Sequence, residues 1–273
     1  MNTLNKVWLV AALLYASAVF AHPGDHRSIE ELDRLLIDSP IEPSLLIARA
    51  ALHTRTGQWD QAERDLLLAM DASNETTVAF ELANLYYHAG AFKKSLVYID
   101  HYINANPQYA PAFLLRARTA QAYQHNDTAI SSYRTYLTIA QNPQPGDYLA
   151  AAELLASTGT EGIVSAIEVL DAGINKLGLN PQLQRYAMQL ELKRSQNENA
   201  ISRWRSLEYQ LGETPGFQIT LARLLFLSNR FNEATQVAAQ AKARLSSLRR
   251  SPARDSLARK LSALEKLLEQ AKT

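Results

Sequence analysis

The chain has 273 residues, with 28 Lys+Arg against 27 Asp+Glu, ten Gly, ten Pro and no Cys. That near-neutral balance argues against a nucleic-acid binder, which carries a strongly basic domain, and the lack of Cys excludes a disulfide framework and any thiolate metal or redox site. Gly falls to about half its usual ~7% share and Val occurs only five times after residue 21, whereas Ala, Leu, Gln, Glu and Arg abound, so the material favours helix over sheet.

Lys6 is the only charged side chain in the opening segment, and an apolar run follows it from Val7 to Phe20. Fourteen residues at ~1.5 Å rise reach roughly 21 Å, short of a ~30 Å hydrocarbon core. Val19-Phe20-Ala21 then offers small residues at the −3 and −1 positions of a cleavage site. Residues 1–21 therefore read as a signal peptide, with a short membrane anchor as the other reading. Cleavage near Ala21 gives a periplasmic or secreted chain of net charge zero with no stable membrane insertion, and export without Cys fits a bacterial periplasm.

The new terminus, His22-Pro-Gly-Asp-His26, has two readings. A freed α-amine on His22 beside its imidazole makes a nitrogen pair suited to copper, with His26 as a third donor. Alternatively, Pro23 and Gly24 simply oppose structure there. Next, Ser28-Ile-Glu-Glu31 has the form of a capping box ahead of Ile29, Leu32, Leu35 and Leu36, with Pro40 as the stop. Residues 22–42 are thus expected to hold a terminal segment and a capping helix.

A short block then recurs: Gly57-Gln-Trp59-Asp-Gln-Ala62, Gly90-Ala-Phe92-Lys-Lys-Ser95, Gln124-His-Asn126-Asp-Thr-Ala129, a weaker Glu161-Gly-Ile163-Val-Ser-Ala166, Ser195-Gln-Asn197-Glu-Asn-Ala200 and Asn229-Arg-Phe231-Asn-Glu-Ala234. The closing small residues are 33, 34, 37, 34 and 34 positions apart, the mark of a repeat architecture. Helical periodicity flanks every block: Leu82, Ala83 and Tyr86 precede the second, and Leu96, Ile99 and Ile103 follow it before Pro107 ends the helix. Gly or Asn at the turn suits backbone angles that other residues avoid. A second column reads Ala50, Ala83, Ala117, Leu154, Met188, Ala222; its small members let paired helices approach closely, with Tyr86, Leu96, Tyr133 and Trp204 filling the layers. Leu154, Met188 and Pro143-Gln-Pro145-Gly146 break the pattern, so looser or rotated packing is expected around the fourth copy.

On Leu82-Ala83, Tyr86, Gly90, Phe92, Ser95 and Pro107, and on Leu221-Ala222, Phe231 and Ala234, the chain resembles the tetratricopeptide-repeat (TPR) family. The resemblance implies an all-α fold: an α-solenoid (superhelix) of about six TPR-like helix pairs over residues 43–245, irregular near 142–180, with capping helices at both ends. Residues 246–273 form the second cap, a basic amphipathic helix opened by Ser251-Pro252 and carrying Leu257, Leu261, Leu264, Leu267 and Leu268.

In this family the first helix of each repeat lines a concave groove. Carried over position by position, the groove columns are Phe80, Asn84 and Tyr87; Leu114, Arg118 and Gln121; Arg185 and Gln189; and Ile219, Arg223 and Phe226. Asn84 suits an extended peptide backbone, and Arg118, Arg185 and Arg223 suit carboxylates. The family's carboxylate clamp is not supported, because Ile47 and Ala51 stand where it needs Lys and Asn. The resemblance implies a non-enzymatic protein-protein interaction scaffold, here in the bacterial envelope, whose partner is a protein segment of acidic character. A periplasmic small-ligand or copper-binding protein using His22 is the alternative. No catalytic motif and no cofactor signature occurs in the sequence.

Charge is also segregated. Residues 22–75 carry 5 basic and 11 acidic side chains, and residues 242–273 carry 9 and 3, a net −6 against +6. Solvated helix faces, weak head-to-tail self-association and contact with an anionic membrane are the three readings of that pattern.

Overall fold

A computed structural model describes residues 23–73 and 75–271, and of residues 23–27, 75 and 77 it describes the backbone alone. The expected signal peptide and His22 lie outside the described residues, as does the side chain of His26. Fifteen helices and no strand occur among the described residues. The chain divides into two compact units, Met1–Gln141 and Asn142–Thr273.

In the first unit α1 (Pro23–Asp38) leads into three hairpins: α2 (Pro43–Arg55) with α3 (Trp59–Ala72), α4 (Glu75–His88) with α5 (Phe92–Ala105), and α6 (Ala110–Ala122) with α7 (Asn126–Ile139). Each helix packs on the next, and α2, α4 and α6 also touch in succession. The second unit has α8 (Pro145–Ala156) with α9 (Thr160–Leu177), α10 (Pro181–Lys193) with α11 (Asn197–Arg205), the short α12 (Glu208–Leu211), α13 (Pro215–Leu227) with α14 (Phe231–Ser247), and α15 (Pro252–Gln270). Here α8 touches α10, α11 touches α13, and α15 packs on both α13 and α14. Stacking of consecutive hairpins, each too thin to bury a core alone, makes this an all-α, solenoid-type fold.

The repeated block is the turn inside each hairpin. Gly57 and Gly90 have φ of 77° and 74°, and Gln124, Ser195 and Asn229 hold 61°, 59° and 60° in the equivalent column. One long backbone bond recurs across these five turns, from Gln58, Ala91, His125, Gln196 and Arg230 N–H to the carbonyls of His53, Tyr86, Ala120, Glu191 and Leu225, at 2.8–2.9 Å. That bond is the signature of a left-handed helix end. The fourth copy differs: the positive φ (108°) belongs to Gly159, directly before α9, and Glu161 lies inside the helix rather than in the turn.

Both small-residue columns are sealed. Ala62, Ser95, Ala129, Ala166, Ala200 and Ala234 are all 0% exposed, as are Ala50, Ala83, Ala117 and Ala222. Ser95 fits among alanines because its hydroxyl donates to the Ala83 carbonyl at 2.7 Å. Packing around the fourth copy is not looser, contrary to expectation. Leu154 and Met188 are buried, and glycines on α9 make up the space. A Cβ on Gly173 would stand 2.8 Å from the Tyr148 ring and 3.1 Å from Leu183, and one on Gly162 would strike the Leu155 carbonyl.

At the amino end, α1 begins at Pro23, so Ser28 lies inside the helix and not at its cap, a correction to the capping-box expectation. Proline presets the backbone for a first turn and starts the helix early. At the other end Ser251 does cap α15, its hydroxyl accepting from the Arg254 N–H at 3.2 Å.

Candidate interaction groove

The expected groove residues fall in both units, and the two sets have different surroundings. In the first unit Phe80 of α4 is closed against Tyr102 and Tyr109, with ring centroids 5.3 and 5.5 Å away. Tyr87 leans on Phe92 and His88, at 6.2 and 5.2 Å. Gln121 of α6 accepts from the Tyr133 hydroxyl at 3.0 Å. Arg118 is exposed and has a partner within the chain, and Asn84 is half-buried. Beside them Glu81 has no hydrogen-bond or ion-pair partner among the described residues, and burial pushes its carboxyl above the usual carboxylate range.

Elsewhere in this unit, charge is spent on holding helices together. Arg49 donates to both Asp65 oxygens at 2.8 and 2.7 Å and to Asp33 at 2.7 Å, tying α1, α2 and α3. Arg116 repeats the device, bonding Asp100 at 2.6 Å and Ser132 at 3.0 Å. The Tyr86 hydroxyl donates to Glu63 at 2.6 Å with Lys94 3.2 Å away, and the tyrosine bond holds the Glu63 carboxyl below its ordinary value.

In the second unit Arg185 and Gln189 of α10 border a cavity of about 480 Å³ floored by Met188, Trp204, Phe217 and Leu257. Arg223 of α13 borders a neighbouring cavity of about 440 Å³ walled by Ile219, Phe226, Leu264 and Leu267. Thr220 and Lys260 line both, so the two cavities adjoin along α13 and α15, and together they are called the trough. Its floor is rigid: Trp204 stacks on Phe217 at 5.3 Å, and its indole N–H donates to the Phe217 carbonyl at 3.0 Å. Thr214 caps α13, its hydroxyl accepting from the Phe217 N–H at 3.3 Å with Pro215 following. The Ile219 side chain, expected to face a ligand, is largely buried in the core and shows only its edge to the trough.

Arg185, Arg223 and Lys260 have no hydrogen-bond or ion-pair partner among the described residues. Neighbouring cations in the same unit are engaged: Arg203 grips Asp171 at 2.6 and 2.9 Å, Arg230 holds Glu233 at 2.7 Å, Lys242 meets Glu265 at 3.1 Å, and Arg244 bonds Glu213. Three unengaged cations over an apolar floor can desolvate aliphatic groups and receive carboxylates at the rim. Lys260, Leu264 and Leu267 were not among the expected groove residues, because their helix was read as a cap. Their i, i+4, i+7 spacing with Leu257 at i−3 was the available signal, for it marks one helix face.

No family model matches the sequence, and comparison with curated proteins finds no match. Solved structures do match. The chain is similar to the C-terminal part of a TPR repeat-containing protein from Cytophaga hutchinsonii (TM-score 0.62, 11% identity, over 86% of this chain and 94% of that one). It is also similar to pilF of Pseudomonas aeruginosa (0.54, 15%, 73% and 90%) and to the MamA protein (0.50, 12%, 65% and 98%). At such identities the likeness is one of fold, and the fold is that of tetratricopeptide-repeat proteins. No helix among the described residues is long and apolar enough to cross a membrane.

Proposed function

We propose that this chain is a non-enzymatic scaffold that holds an acidic, amphipathic segment of a protein in the trough of its second unit. The observation that carries this reading is the trio Arg185, Arg223 and Lys260, unengaged above the apolar floor of α10, α13 and α15. Aliphatic side chains of the segment would settle on Trp204, Phe217 and Leu264, and its carboxylates would take bidentate bonds from the guanidiniums. The same reading places the chain in the bacterial envelope, exported by residues 1–21. Intact-mass measurement of the exported protein is expected to show a chain beginning at His22; retention of Met1 would refute export by cleavage.

A synthetic helical peptide with Glu and Leu at amphipathic spacing serves as the probe, with a Lys-for-Glu version as control. Fluorescence anisotropy is expected to detect binding of the acidic peptide, lost at high salt and in the Arg223→Glu/Lys260→Glu protein. Equal binding of both peptides, or no effect of the double substitution, would overturn the reading.

A further inference from the structure

The first unit itself presents a segment of the chemistry that the trough selects. Helix α1 is anchored by buried Leu36 and by the Asp33–Arg49 ion pair, which leaves its outer surface to solvent. That surface is aliphatic and acidic together: Leu35 and Ile37 on the helix are 50% and 75% exposed, and Ile41 in the turn that follows is 58% exposed. Glu31, Leu35 and Asp38 follow one helical stripe at i, i+4, i+7, and Glu30 lies two turns before Ile37 with the exposed Arg34 between them. Glu30, Glu31 and Asp38 are exposed, and no ion pair joins them to another side chain among the described residues. Large aliphatic groups this exposed, set among Glu30, Glu31 and Asp38 with Arg34 beside them, suit a contact surface.

We infer that the trough of one copy takes the α1 surface of a second copy. This rests on the acidic-segment reading above and names the segment. Charge complementarity favours it over an unrelated surface: the region around α1 carries a net −6 and the region around α15 a net +6. Such a contact is heterologous, pairing two different patches, so in a pair one copy retains a free trough and the other a free α1. Association therefore extends into open chains unless the rotation closes a ring. Rim charges of this kind set the encounter rate and the salt dependence, and the aliphatic residues supply the burial.

Sedimentation velocity on protein purified from the exported fraction tests this. The expected result is a sedimentation coefficient that rises with concentration at low salt and stays at the monomer value at about 1 M salt, where exposed charges are screened beyond ~3 Å. Arg223→Glu/Lys260→Glu on one face and Glu31→Lys/Asp38→Lys on the other should each weaken association at least ~tenfold, or about 1.4 kcal/mol. Mixing the two reversed proteins should restore it. Ile37→Ser, which leaves all charges in place, should weaken it as well, and circular dichroism of each variant is expected to match wild type.

A monomer at every concentration, variants that associate like wild type, or a mixture that fails to recombine would each overturn the inference. If the acidic Glu/Leu peptide still binds the trough in that event, the scaffold reading stands and only its occupant is wrong. If neither peptide nor second copy binds, both fall.

Discussion

The two units are built from the same repeat, and in each some arginines clasp neighbouring helices while other cations make no ion pair among the described residues. In the first, Arg49 and Arg116 reach acidic partners sixteen residues away in sequence, Lys94 lies beside Glu63, and aromatic rings close over Phe80. In the second, Arg203 clasps Asp171 and Glu191 in a comparable way, but Arg185, Arg223 and Lys260 are left over above an apolar trough. The repeat thus pairs some cations between helices and leaves others at the surface, where the proposed recognition would use them. The helix face alone does not distinguish the two sets.

The sharpest way to break a hairpin is to enlarge a sealed column. Ala83→Arg should cost well over ~3 kcal/mol, since overpacking alone costs about 1–3 kcal/mol and a charge would be buried as well. Chemical denaturation checks this, and a wild-type midpoint would show that the repeat register is wrong. The comparison of cations is tested next by a pair of equivalent truncations. Arg49→Met leaves the buried Asp65 without its guanidinium and should cost roughly 3–5 kcal/mol. Arg223→Met should stay within about 0.5 kcal/mol, as surface changes without a partner do. Similar losses in the two variants would erase the distinction.

The turns were the most legible part of the fold. A six-residue block at a near-constant period placed five left-handed turns correctly, two on Gly and three on Gln124, Ser195 and Asn229. Removing the Cβ from one of them should therefore help: Ser195→Gly is expected to stabilise by about 1 kcal/mol in thermal melts, because the left-handed conformation costs roughly 1–2 kcal/mol for a residue with a side chain. No gain would mean the turn is held without strain. The fourth turn was misplaced because Gly159 stands seven positions before Ala166, against five in each other copy, so the block is longer there than the alignment allowed. The tight approach of α9 was missed for a related reason. Small residues were sought in the alanine columns, whereas Gly162 and Gly173 stand outside them.

Half of the candidate trough could be named in advance. Arg185, Gln189 and Arg223 came from the groove positions that the TPR resemblance implies, and they border the two cavities. Lys260, Leu264 and Leu267 depend on α15 folding back beside α13, a tertiary fact that no repeat spacing encodes. Clasps such as Arg49 with Asp33 and Asp65 are likewise invisible to local patterning, as the partners lie on three helices.

The smallest expected effect concerns Glu81 in the first unit. Burial raises its carboxyl, so the folded state binds the proton more tightly than the unfolded one. The stability this confers is present below the ordinary carboxylate pKa and is lost as pH rises through the folded value. Glu81→Gln should accordingly raise the melting temperature at pH 7 and leave it nearly unchanged in acid. A uniform shift across pH would assign the effect to packing.

The division of labour between the units is tested most directly by amide hydrogen exchange on the full chain with and without the acidic Glu/Leu peptide. Added protection is expected on α10, α13 and α15, with α4 and α6 exchanging as before. Protection on α4 and α6, or none anywhere, would contradict the assignment of recognition to the second unit.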